Sequence, residues 1–175
     1  KVTVVSDLVN YERLSDALLP LFSTRDAKAV DDLIATRVLL ETETVSQAAQ
    51  GRTQMDIHTL KELIKDSEAI IDDSELFAEL DYQFHLAIAR MTNNQVLISI
   101  LSALHHHIRM FIDLSIRSMS QRKEAVEWHK RILDSIRDRD VENAKALLRL
   151  HVSDCRIAYY REFQEVPTGA VEQHS

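Results

Sequence analysis

The chain has 175 residues with 28 acidic against 21 basic side chains, a formal net charge of −7, and only two Gly, two Pro and one Cys. That length suits one domain with a sizeable core, and the dispersed basic residues under a net negative charge argue against a nucleic-acid surface. The lone Cys155 excludes an internal disulfide and fits a reducing cytoplasm; with no apolar run of about 18 residues, no helix is expected to cross a membrane.

So few Gly and Pro residues leave few strand-turn signals, and segments of period 3.6 dominate, so the expected class is all-α. Lys1 to Val5 is β-branched without flanking turns and reads as the tail of something upstream. Residues 1–10 are therefore expected to be a junction, 11–165 a helical domain, and 166–175, with Pro167, Thr168 and Gly169, a disordered tail. Amphipathic helices are expected over Tyr11–Phe22 and Ala29–Gln50, the latter stopping at Gly51. A third opens at Thr53 or Asp56 and ends near Asp72 and Asp73, and Ser74-Glu75 starts a fourth. Asn94 to Ser118, Gln121 to Arg137 and Val141 to Phe163 complete the set. Short connections favour antiparallel neighbours, hence a bundle. The closest approach to a basic cluster (Arg117, Arg122, Lys123, Lys130, Arg131) is interleaved with acids and reads as a solvated helix face.

Polar side chains fall where core residues belong. Asp81 and His85, four apart, share a face with Phe77, Phe84 and Ile88. His129 interrupts the stripe of Ala125, Val126, Ile132, Leu133 and Ile136, and His151 that of Ala144, Leu147, Leu148, Cys155 and Ala158. His129 lies about ten residues before the Asp138-Arg139-Asp140 break and His151 about ten after it, so at roughly 1.5 Å per residue both stand at one height on adjacent antiparallel helices. A carboxylate and three imidazoles in an apolar interior need a partner. A divalent metal satisfies all four together.

Arg37 and Glu41 are also four apart and inward, among Val30, Leu33, Ile34, Val38 and Val45. They read either as an ordinary i,i+4 pair or as a cavity wall in which Arg37 holds a carboxylate through its planar fork. In the run His105-His106-His107, only His105 shares the stripe of Leu101, Ile108 and Ile112 and could reach a cavity; consecutive residues point about 100° apart, so the three cannot chelate one ion. His58 shares its face with Gln54, Lys61, Glu62 and Lys65 and reads as surface.

Taken with their spacing, three segments resemble a known family. DYQFHLAIARMTNNQVL, RVLLETETVSQAAQ and EWHKRILDSIRDRDVENAKALLRLH each resemble a signature of the effector-binding domain of FadR-type GntR transcription regulators, over about Leu14 to Phe163. The resemblance implies an antiparallel six- or seven-helix bundle with a metal in a central cavity, held in the metal-binding branch by residues matching Asp81, His85, His129 and His151. It further implies that Arg37 contacts small organic acids and that Asn94 lies beside the cavity. It also implies a homodimer, and operator DNA bound only through an N-terminal winged helix-turn-helix domain that this chain does not include. Asn93 and Gln95 depart from the family pattern, which commonly has Gly and Pro there.

The reading that follows is a metal-dependent sensor of a small carboxylate effector, with Arg37, Asn94, His105 and Glu41 as effector-binding residues. Oxygen and nitrogen donors suit Zn²⁺, Ni²⁺, Mn²⁺ or Fe²⁺, with Zn²⁺ the first expectation for purified protein. Two alternatives stay open. One is a metal-dependent hydrolase or oxygenase, for which Glu41 is the inward acid available as a base; the other is the same regulatory domain with a purely structural metal.

Overall fold

The computed structural model describes residues 27–165, which contain helices and no strand. They are α1 (Ala27–Gly51), α2 (Gln54–Ala69), α3 (Ser74–Arg90), α4 (Gln95–Ser115), α5 (Met119–Arg137) and α6 (Val141–Glu165). Among the described residues no helix is long and apolar enough to cross a membrane. The helix expected at Tyr11–Phe22, the junction at 1–10 and the tail at 166–175 lie outside the described residues.

Local chemistry sets the boundaries. Thr53 and Asp56 both mark the start of α2, because each side chain accepts from the other's backbone N–H in a capping box. α3 begins at Ser74, as expected, and its cap is Asp73, whose carboxylate accepts from the Glu75 and Leu76 amides. Ser118 and Gln121 form a second capping box, which starts α5 two residues earlier than apolar periodicity alone indicates. The turns before α4 and α6 are tight. Asn93 and Arg139 take positive φ of 52° and 59°, where glycine is the easier residue. The Arg139 side chain ties its turn down by donating to the Gln50 carbonyl at the end of α1.

Helix α1 packs against α3, α4, α5 and α6, so its inward face is the axis of the bundle. It runs antiparallel to α6: Asp31 near its start accepts from Arg156 Nε and Tyr160 Oη, both at 2.8 Å, near the far end of α6. α2 rests on α3 and α5. Phe77, Phe84, Leu60, Ile88, Ile132, Ile136 and Leu148 are the largest fully buried apolar side chains and belong to one continuous core. Asn143 Nδ2 donates to Ser135 Oγ at 2.7 Å across the α5–α6 turn, which fixes the register of the two helices.

Arg122 departs from expectation: it is not on a solvated face but only 6% exposed. Its Nε donates to the Ile71 carbonyl at 2.6 Å, and its Nη1 to the Ile116 and Arg117 carbonyls at 3.0 and 2.8 Å. A helix end leaves its last carbonyls without intrahelical donors, and Arg122 supplies donors just past the end of α4 while tying in the α2–α3 loop. Arg122→Ala should therefore lower stability by roughly 2–4 kcal/mol, since three carbonyls lose a charged donor in a buried setting. Urea unfolding measures this. Arg122→Lys should recover less than half, because an ammonium lacks the fork.

Candidate metal centre

Three helices bring the candidate ligands together. Asp81 and His85 come from α3, His129 from α5 and His151 from α6, and one ligand atom from each lies within 4.8 Å of all the others. Their exposures are 4, 8, 1 and 1%, so bulk water hardly competes for them. His85 Nε2 is 3.2 Å from His151 Nε2, and His129 Nε2 is 3.3 Å from Asp81 Oδ1. Donors at about 2.1 Å from a shared ion, as in Zn–N bonds, stand roughly 3.0–3.4 Å from one another. The two separations fall in that range.

The rings are held from behind. Phe84 stacks on His129 with centroids 4.0 Å apart and planes within 15°. The His85 and His151 rings are parallel within 5°, and His129 stands nearly perpendicular to both. His129 Nδ1 and Nε2 and His151 Nδ1 are buried without a well-formed hydrogen bond. Such orphaned nitrogens are costly, and metal coordination uses unprotonated ring nitrogens together with a carboxylate.

Protonation agrees with this. Burial drives His129 down, although Asp81 opposes it, and burial with the neighbouring His129 and His85 drives His151 well below the usual imidazole range. Both shifts favour the neutral ring, the form that can donate to a metal. Burial pulls Asp81 upward, but the adjacent His129, with His85 and His151 nearby, outweighs it, so its carboxyl is held below the ordinary range.

Beside the donor group lies a narrow cavity walled by Arg37, Glu41, Tyr82, His85, Leu101 and His105. Arg37 is 2% exposed; its Nε donates to Glu41 Oε1 at 2.5 Å, while Nη1 has no hydrogen-bond partner. Burial raises Glu41, yet the Arg37 charge and the adjacent His85 bring its carboxyl down to about 2. His105 stacks on Tyr82, centroids 3.2 Å apart, and burial with the Arg37 charge pushes it down to about 3. The cavity volume is about 20 Å³, space for a water-sized occupant. A larger ligand needs these side chains to move.

Seven of the eight residues named from sequence thus meet at one place. The exception is Asn94, which is exposed and caps α4, its Oδ1 accepting from the Val96 and Leu97 amides at 3.1 and 3.2 Å. It does not line the cavity. His58 is exposed and His105 faces inward, both as expected. Two features lie beyond the sequence reading: Tyr82 as a wall residue, and the contact between Glu41 and His85. Tyr82 and His85 are three apart on one helix, so their proximity had a usable signal in the spacing. The reach of Glu41 from α1 to His85 on α3 had none, because it joins helices distant in sequence.

A buried carboxylate and three histidines converge beside a small cavity with the Arg37–Glu41 pair in its wall, an arrangement on a helical bundle that suits a small-molecule-binding domain. Residues 32–154 match the FCD domain model. The chain therefore belongs to the FCD family, the C-terminal effector-binding domain of FadR-type GntR regulators. It is 28% identical over 145 residues to the HTH-type transcriptional regulator LutR of Bacillus subtilis, covering 76% of this chain and 64% of the relative. It is 29% identical over 158 residues to the Glc operon transcriptional activator of Escherichia coli, covering 84% and 62%. Among solved structures it resembles E. coli McbR/YncC, with a TM-score of 0.72 and 19% identity over 79% of this chain and 67% of that one. The chain thus spans somewhat less than two thirds of the length of these two curated relatives. The family is a regulatory domain and not an enzyme, which closes the hydrolase or oxygenase alternative. Glu41, the acid that alternative required, is ion-paired to Arg37.

Cys155 is expected to be inert. It is half-buried by surface area, and the packing around its sulfur pushes the thiol up to about 12, which makes it a poor nucleophile at mildly alkaline pH. A thiol-reactive dye, at a pH near the ordinary thiol value of about 8.5, should label the native chain far more slowly than the urea-unfolded chain. Equal rates would contradict this.

Proposed function

We propose that this chain is the metal-dependent, organic-acid-sensing domain of a DNA-binding transcription regulator. The observation that carries the reading is the convergence of one carboxylate and three imidazoles within 4.8 Å, next to a buried arginine with an uncommitted donor. Asp81, His85, His129 and His151 hold a divalent ion (Zn²⁺, Ni²⁺, Mn²⁺ or Fe²⁺). When bound, the ion supplies a Lewis-acidic seat for carboxylate oxygens. Arg37 neutralises the ligand's charge, with His105 and Tyr82 forming part of the same wall. The relatives' names as transcriptional regulators support a full-length protein that acts on DNA through a part outside this chain. In keeping with the family resemblance, that protein works in the cytoplasm as a homodimer.

Elemental analysis of wild type should find about one ion per chain, and His129→Ala and His151→Ala should each lower metal content and melting temperature. Wild type that contains no metal and takes up none on titration with Zn²⁺, Ni²⁺, Mn²⁺ or Fe²⁺ overturns the metal reading.

The effector half is tested separately by calorimetry with a panel of hydroxy-, keto- and dicarboxylic acids. Arg37→Ala should weaken the best of them by roughly 2–3 kcal/mol, the scale of a charge-assisted hydrogen bond, with metal content largely retained. Arg37→Lys should restore part of that loss. If Arg37→Ala binds as tightly as wild type, the effector sits elsewhere and the ion is structural.

A further inference from the structure

His85 stands between two partners. Its Nε2 faces the donor group, 3.2 Å from His151 Nε2, and its Nδ1 lies 2.7 Å from Glu41 Oε2 on the other side of the ring. Glu41 is 5% exposed and is held in turn by Arg37 Nε at 2.5 Å. The contact is close but falls short of a well-aligned hydrogen bond, since neither atom has a formed partner. At 2.7 Å, however, a bare nitrogen lone pair would repel the carboxylate oxygen. A proton on Nδ1 removes that repulsion and leaves the lone pair on Nε2, toward His151. In metal sites, a carboxylate on the far nitrogen of a histidine selects the tautomer and fixes the ring.

We infer that Glu41 is a positioning residue for the metal centre: it keeps the proton of His85 on Nδ1 and orients Nε2 toward the ion, while Arg37 anchors Glu41 in place. This rests on the metal reading above and deepens it, since it assigns Glu41 to the metal and not to the effector. It also makes Arg37 the link between the two, because its Nε serves Glu41 while its Nη1 faces no protein partner.

The test is chelator-competed titration of the metal-stripped chain with Zn²⁺, together with the absorption spectrum of the Co²⁺-loaded form. Glu41→Leu should lose about 10- to 100-fold in Zn²⁺ affinity, the range for such outer partners, and its Co²⁺ bands should shift. Glu41→Gln retains a neutral acceptor and should lose less. Because Glu41→Leu strands the Arg37 charge and could impair folding, the double variant Arg37→Met/Glu41→Leu removes both charges. It should lose as much affinity as Glu41→Leu while keeping the wild-type helical circular dichroism. If the double variant binds Zn²⁺ as tightly as wild type with an unchanged Co²⁺ spectrum, the role of Glu41 is overturned while the metal reading stands. If wild type takes up neither ion, the metal reading fails and this inference fails with it.

Discussion

The structure turns on the burial of one carboxylate and three imidazoles at a point where three helices meet. Each group taken from water without a partner costs several kcal/mol, so the helices can approach this closely only if the four groups satisfy one another or share an occupant. Asp81 and His129 approach to 3.3 Å, but neither His129 nitrogen gains a formed hydrogen bond from it, so the pair does not satisfy itself. The rest of the fold is arranged around the constraint. Phe84 backs His129, and the Asp138–Asp140 turn sets α5 beside α6 at the height of the two histidines. The α3–α4 turn at positive-φ Asn93 returns the chain so that His105 reaches the cavity beside His85.

Arg37 and Glu41 bring a second constraint from α1. A buried ion pair is poor evidence for stability, because desolvation can exceed the attraction between the charges. Its position says more than its energy: it places a cation at the cavity wall and a carboxylate against His85. A ligand carboxylate entering at Arg37 and an ion at the histidines would each change the charge seen by Glu41. Their affinities would then be coupled, and by thermodynamic linkage the coupling would be reciprocal.

Much of the site is legible in the sequence because helical spacing converts directly into direction. Asp81 with His85, and Arg37 with Glu41, are i,i+4 pairs on apolar faces, and the break at Asp138–Asp140 sets the heights of His129 and His151. Contact between helices distant in sequence is not legible in this way. Arg122 sits among charged neighbours that suggest a solvated face, yet it reaches Ile71 and the carbonyls just past α4. Asn94 matches a cavity residue by family pattern, but its side chain is consumed in capping α4. The helix start set by Ser118 differs from expectation by two residues, because caps are made by hydrogen bonds that apolar periodicity does not report.

The distribution of the site over helices bears on how it could act as a sensor. The donors come from α3, α5 and α6, and the cavity wall adds α1 and α4. An occupant that bridges separate helices stabilises their packed arrangement by RT ln(1 + [L]/Kd), about 2.7 kcal/mol at a hundredfold excess over Kd. A site confined to one helix would stabilise only that helix. With little more than a water's volume open beside Arg37, an effector larger than water would have to move the Tyr82–His105 stack or its neighbours to enter there. Binding of that kind would favour one arrangement of those side chains over another, and differential affinity for two arrangements is what a regulatory domain requires.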